Sequence, residues 1–509
     1  MFSGMRSLKA VSAFAGRGRA LFITVAPAAL FLSACAVGPD FKTPAPPTVN
    51  SYTASPVQAT QAVSGVAGGD AQRFLAGSDV PGDWWTLFHS EALNDLIQAG
   101  LKNNPGLKSA IASLKQAHEQ ALAARGAFFP SVSAGFDAQH QQQAAILAPT
   151  LNSNVLQYNL FTPQISVSYM PDVFGLTRRT VESADAQADA ARYQMLAVYT
   201  TLVNNLVATA VQYASTEAQI AATRRVIEST AKSVEILEYQ HNKGYASGVD
   251  LAAEKSQLAA AEANLPPLIK QEAQLHDQLA VLVGQYPSQE GQASLKLEDL
   301  KLPQDLPVSL PSTLVAQRPD VLQAEANLHA SSAQIGIAVA NRLPNIQLTA
   351  NAGAMATTFN QIFSPASQFW GVGAALTAPI FEGGALYHQE KAARAAYDAS
   401  AEQYRATVLG AFQNVADTLV ALDQDAKGLQ AAATADAAAK TTLDLTQRQL
   451  QDGYTNYLGL LNAQSAYQQT EIALVQAEAN RFADTAALFQ ALGGGWWHRT
   501  DLAGNDNEK

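Results

Sequence analysis

Cysteine is almost absent from this chain: Cys35 is the only one among 509 residues, so no internal disulfide can form. Histidine is scarce too, and the 8 present are scattered without a pair at HExxH spacing, which leaves a metallohydrolase helix without support. No phosphate-cradling glycine loop or nucleophile elbow occurs, and Gly493-Gly494-Gly495 precedes Trp496 rather than a helix. Basic patches are missing as well. The net charge of −11 becomes −15 once Arg6, Lys9, Arg17 and Arg19 of the first 34 residues are set aside, so nucleic acid is excluded as a partner. Beyond those residues no stretch offers 18 consecutive apolar side chains, the minimum for an ordinary membrane-spanning helix. Aromatics make up only 8% while much of the 48% hydrophobic content is alanine, a composition of closely packed long helices rather than of a thick globular core.

What is present begins with length without punctuation. From Leu176 to Lys243 there is no glycine and no proline over sixty-eight residues, which predicts a helix about 100 Å long. A second stretch of the same length, 385 to 452, lacks proline and contains only Gly410 and Gly428. The two belong to a repeat: Gly175, Gly244 and Gly284 recur as Gly384, Gly453 and Gly493 at a constant shift of 209, and Pro105 and Pro130 recur as Pro319 and Pro344 at a shift of 214. Within the first rod Val181, Ala184, Ala188, Ala191, Met195, Val198 and Leu202 form a 3,4 seam; Phe412, Val415, Leu419, Leu422, Ala426 and Leu429 do so in the second. Return helices are expected over 249–284, interrupted by Pro266-Pro267, and over 458–492. Ahead of each rod the sequence alternates with period two, predicting strand pairs at 131–140 with 160–171 and at 345–354 with 369–379.

The N-terminus has a basic region, an apolar run of about a dozen residues, then Leu32-Ser33-Ala34-Cys35, the layout of a bacterial secretory signal. The last four residues resemble a lipobox, which makes Cys35 the lipid-modified first residue of the mature chain; Ala36, in place of aspartate, favours the outer membrane. The segments are then a signal peptide over 1–34, an anchored extended segment over 35–83, a first repeat over 84–284, a connector over 285–311, a second repeat over 312–495 and a polar tail over 496–509, expected to be disordered. Strands of this length cross a bilayer when tilted, but four cannot close a barrel, which needs about eight, so a barrel must be shared between chains. A solid coiled-coil stalk with a soluble β cap fits the same periodicities.

Resemblance separates the two. Cys35-Ala36-Val37-Gly38-Pro39-Asp40-Phe41, Trp84-Trp85-Thr86-Leu87-Phe88, Asp172-Val173-Phe174-Gly175, Arg318-Pro319-Asp320-Val321, Pro379-Ile380-Phe381-Glu382-Gly383-Gly384 and Ala491-Leu492-Gly493-Gly494-Gly495-Trp496 occur in the order found in the TolC-like outer membrane factors. They resemble in particular the OprM-like lipoprotein branch serving resistance-nodulation-division (RND) efflux pumps. The resemblance implies a mainly α fold with membrane β: a homotrimer whose four strands per chain build a shared barrel of twelve, with long antiparallel helices forming a periplasmic tunnel. It implies passive efflux without catalysis or cofactor beyond the lipid on Cys35, contact with outer membrane lipid, and two protein partners, a periplasmic adaptor and an inner-membrane RND pump. A conduit for type I secretion or metal export would use the same hardware.

In the family the two turns, at Gly244 and Gly453, close the pore, with carboxylates just beyond them as a constricting ring. Carried onto this chain, Asp250 and Glu254 supply acids, Tyr454 and Tyr457 pack or hydrogen bond across the closed mouth, and Gly244, Tyr245, Gly453 and Tyr454 are the turn residues an adaptor would touch. Where relatives have Asp and Arg, this chain has Asn462 and Ser465. Asp250 is equally well placed to cap its helix.

Overall fold

The computed structural model describes residues 36–55, 58–142, 157–289 and 295–500. Cys35 and the segment expected to be a signal peptide, 1–34, lie outside the described residues. In chain order the elements are β1 (Arg73–Ala76), α1 (Glu91–Asn103), α2 (Pro105–Arg125), β2 (Ser131–Gln142), β3 (Gln157–Tyr169), α3 (Leu176–Asn242), α4 (Gly248–Leu282), β4 (Asp305–Val308), α5 (Pro311–Gln317), α6 (Pro319–Ala340), β5 (Asn345–Ala354), β6 (Gln368–Thr377), α7 (Ala385–Gln451) and α8 (Tyr457–Ala491). The rods α3 and α7 have 67 residues each and the return helices α4 and α8 have 35 each.

One expectation fails in α4. The helix runs straight through Pro266 and Pro267. A proline removes the donor to the carbonyl four residues back, here those of Glu262 and Ala263, and both residues are exposed, so water can take over the lost bonds. In α3 the seam residues Val181, Met195 and Leu202 are buried. An 18-residue window there has the mean hydropathy of a membrane span, 1.2, yet 61% of it is buried within the molecule, so its apolar side chains form a core face. The most buried positions, Leu196, Tyr199, Val203, Leu206, Val207 and Ala210, lie one step around the helix from the expected Met195–Val198–Leu202 line.

The chain divides into two compact units. The first comprises Arg125–Thr180 and Gln334–Lys391 with residues 36–39. Its centre is an antiparallel sheet in the order β2-β3-β5-β6. Register puts Val132, Val167, Ala350 and Val372 in one row and Ala134, Ile165, Ala352 and Trp370 in the next, so these apolar residues share a face. Ser133, Ser166, Asn351 and Gly371 form a row on the other. Trp370 is 80% exposed and Val372 76%, so nothing among the described residues covers that part of the apolar face. Asp137 is the only charged residue in the four strands. Residues 36–38 lie across the start of α3: Val37 N–H donates to Phe174 O at 3.0 Å and Arg179 Nε to Val37 O at 3.0 Å. Gly38 is left-handed (φ 94°), and a Cβ on it would sit 2.4 Å from Gly336 Cα, which accounts for glycine in the Val37-Gly38-Pro39 motif.

The second unit holds the large core. Trp84 stacks on Phe489 with ring centroids 4.9 Å apart, and Trp85, Phe88, Leu93 and Ile97 are buried with Leu196 and Leu206 of α3. Arg318 grips two helix ends: its guanidinium forks onto Asp320 at 2.9 and 2.6 Å and donates to Ala491 O, the last carbonyl of α8, at 2.9 Å. The N-terminal segment is pinned rather than loose. β1 pairs in parallel with β4, and buried Arg481 donates to Gly68 O, Asp70 O and Leu422 O. The start of the tail is ordered too, contrary to expectation. Trp496 Nε1 donates to Gln317 O, while Trp497 Nε1 and the His498 ring bond to the Asp79 carboxylate. Its two indoles and the His498 ring together decide that outcome.

Candidate functional site

Two hairpin tips, α3–α4 and α7–α8, carry the residues singled out in the sequence, and they are built alike. Gly244 (φ 81°) and Gly453 (φ 79°) take the left-handed conformation that ends each rod, and the next N–H in each, from Tyr245 and Tyr454, reaches back to Gln240 O and Gln449 O at 2.8 Å. Ser247 and Asn456, also 209 apart, then start the return helices as N-caps, accepting from Asp250 N–H at 3.1 Å and Gly459 N–H at 3.0 Å. Tyr245 and Tyr454 are each 83% exposed at the two turns.

Asp250 is not the cap itself; Ser247 is. Ser247 Oγ donates to Asp250 Oδ2 at 2.7 Å while accepting from its N–H, a reciprocal arrangement like a capping box with aspartate in the glutamate's place. The second tip has no equivalent. At the shift of 209 Asp250 corresponds to Gly459, and the first turn of α8 contains no acid. Asn462 lies on the exposed surface of α8.

Glu254 departs furthest from expectation. One turn beyond Asp250, it is expected from the sequence to be a second acid at the mouth, but it is 0% exposed and neither carboxylate oxygen has a hydrogen-bond partner. Burial pushes its carboxyl above the usual range. A group wholly enclosed within one chain cannot line a pore. Its neighbour Lys255 points outward to Glu238 at 2.6 Å.

Tyr457 ties the hairpins together: its hydroxyl donates to Gln240 Oε1 of α3 at 2.6 Å. Burial pushes its phenol up, against the Gln240 bond and with a contribution from Glu254 and Asp250. Further along α3 and α8 come two features that sequence reasoning missed. Arg225 pairs with Glu471, and near this pair a cleft of ≈ 200 Å³ is lined by Thr230, Gln464 and Tyr467 among others. Thr223, Thr230, Gln464 and Gln468 are buried yet retain polar atoms without protein partners, where close-packed helices ordinarily place leucine. The signal was available as polar residues at heptad spacing, 223 and 230, but without the partner helix it reads as a solvated face. Among the described residues no group of three acidic, histidine or cysteine side chains is placed to hold a metal.

Rods of equal length, each preceded by strands of a two-faced sheet with free edges, define the class of envelope channels that pair membrane strands with periplasmic helices. The signature of the family described as "Outer membrane efflux protein" matches residues 96–285 and 310–494, and the chain belongs to that family. It is an efflux channel of the outer membrane, with helices extending into the periplasm. Outer membrane protein OprJ of Pseudomonas aeruginosa is 29% identical over 474 residues, covering 92% of this chain and 94% of the relative. The toluene efflux pump outer membrane protein TtgC of Pseudomonas putida is 27% identical over 485 residues, 94% of this chain and 97% of its own. Among solved structures, the outer-membrane channel OprN superposes with a TM-score of 0.81 at 26% identity, over 91% of this chain and 100% of that one. The Campylobacter jejuni CmeC channel, at 21% identity and a TM-score of 0.80 over 93% and 98% of the two chains, shows the same fold.

Proposed function

We propose that this chain is the outer membrane duct of a tripartite RND-type efflux system, passing small molecules such as drugs or toxic compounds outward without covalent chemistry of its own. The sheet of the first unit carries the reading. It offers a bare apolar face, a polar face and two edges, β2 and β6, with no partner among the described residues. Unpaired strand edges cannot face lipid, and four strands cannot close, whereas three copies joined β6 to β2 make a barrel of twelve. The apolar face then meets lipid and the polar face lines a wet lumen. The matching rods and return helices act as two repeats of a periplasmic tunnel, and a lipid on Cys35 adds a second attachment. That TtgC is named for toluene efflux favours small organic cargo over the secretion and metal-export alternatives. The working partners are two further copies of the chain, an inner-membrane pump, and a periplasmic adaptor touching Gly244, Tyr245, Gly453 and Tyr454.

At the tip, three Asp250 side chains, one from each copy, form the charged constriction. The Ser247 hydroxyl occupies only Oδ2 of each, leaving Oδ1 for passing cations. The Tyr457–Gln240 bond and the Arg225–Glu471 pair hold the hairpins together in the closed state. Conductance across planar bilayers tests this. Trimers that carry no ions would refute the duct, and Asp250→Ala trimers that keep the cation preference of the unchanged protein would remove the ring while leaving the duct.

A further inference from the structure

The loop between β5 and β6 does not project from the end of the sheet. Beyond the last β3–β5 ladder pair the chain stays tied to β3, with Phe161 N–H donating to Ala356 O at 2.9 Å and Ala356 N–H to Phe161 O at 3.1 Å. A 3₁₀ turn, Phe359–Phe363, then lies on the apolar face of the sheet. The Phe359 ring is 6.4 Å from Phe136 and 6.1 Å from Phe161, both on that face, and Phe363 is 6.2 Å from Phe359. Ile362 is the attachment, buried with Ala354 and Ala356. Phe359 and Phe363 remain 55% and 79% exposed.

The chemistry around these rings is unusual for a loop in water. No charged residue occurs between Arg342 and Glu382, and the turn's other side chains, Thr357, Thr358, Asn360, Gln361 and Ser364, are neutral and polar. Aromatic rings among neutral hydrogen-bonding groups suit the boundary between headgroups and acyl chains, where one side is apolar and the other wet. Position agrees. α3 and α7 leave the sheet beyond Tyr169 and Thr377, so the opposite end, at Ala354 and Gln368, is the outer one in a channel whose helices are periplasmic.

We infer that the Phe359–Phe363 turn is an aromatic wedge seated in the outer leaflet at the headgroup–acyl boundary, continuing the lipid-facing surface of β2 and β3 around the loop. The inference rests on reading the bare sheet face as the lipid-facing one, and the two are tested separately by fluorescence in phosphatidylcholine vesicles with brominated chains. Trp84, Trp85, Trp496 and Trp497 all belong to the other unit, whereas Trp370 sits on the sheet face. The quenching lost on Trp370→Phe therefore reads the face itself. Phe363→Trp placed in the Trp370→Phe chain then reads the turn, both exchanges being aromatic for aromatic and checked for trimer formation. The expected result is bromine-dependent loss of emission from Trp370 and from the tryptophan at 363, the latter stronger with bromines near the headgroup than deep in the chains. Quenching at 370 with none at 363 would overturn the wedge and leave the lipid-facing sheet intact, placing the turn in water or against a neighbouring copy. No quenching at either position would remove both.

Discussion

Glu254 should destabilise the packed tip at neutral pH, and removing its charge should strengthen the fold. Its carboxylate is enclosed by its own chain and makes no hydrogen bond, so its ionised form is uncompensated. An unsatisfied buried polar group costs about 1–3 kcal/mol, more when charged, so Glu254→Leu should gain roughly 2 kcal/mol. Glu254→Gln separates charge from polarity, because an amide has the shape of the protonated acid. Burial raises the carboxyl's folded pKa above its unfolded value. The protonated form therefore fits the fold. Its contribution is fully present below the unfolded pKa and is lost as pH rises through the folded one. Glu254→Gln should accordingly match the unchanged protein near pH 4, below the unfolded pKa, and exceed it near pH 8. Thermal unfolding of detergent-solubilised trimers, followed by helical circular dichroism at both pH values, measures the difference. Asp425 and Glu478, each pushed up to about 7 mainly by burial, titrate in the same range but are common to both chains and cancel. A midpoint lowered at pH 8 by either substitution would refute the reasoning, since it would mean that the carboxylate stabilises the tip.

Three further outcomes follow from contacts described above. Tyr457→Phe deletes the bond to Gln240, worth about 1 kcal/mol; current through closed trimers in planar bilayers should rise, and an unchanged current would show that this tie does not restrain the tip. Arg481→Met strips the buried carbonyls of Gly68 and Leu422, and the half-exposed one of Asp70, of their donor at a cost of roughly 3 kcal/mol. Limited proteolysis should then cut within residues 58–72 far sooner than in the unchanged chain, and equal protection would contradict the pinning role. Replacing Pro266 and Pro267 together by alanine restores two donors in an otherwise continuous helix, so the thermal midpoint should rise; a fall would mean the prolines set a bend that packing requires.

Which features the sequence reveals follows from how local their causes are. Rod length is set by the spacing of Gly175, Gly244, Gly384 and Gly453, and each of these four takes a positive φ in the structure. Strand pairs are visible because alternation is a nearest-neighbour property, but the β3–β5 pairing that joins the two pairs into one sheet depends on residues some 180 positions apart. Pro266-Pro267 misleads because the local rule counts missing donors without knowing that water reaches the orphaned carbonyls. At the tip the difficulty is one of phase. α4 is so rich in alanine that no apolar stripe marks its inner side, and Asp250 and Glu254, one turn apart, read as sharing an outward face when only one does. The repeat supplies what periodicity lacks: shifted by 209, Glu254 falls on Ala463, which is buried in α8. The correspondence of Glu254 with an alanine can be read from sequence alone, but that this alanine is buried, and hence that the position faces inward in its hairpin, is seen only in the structure.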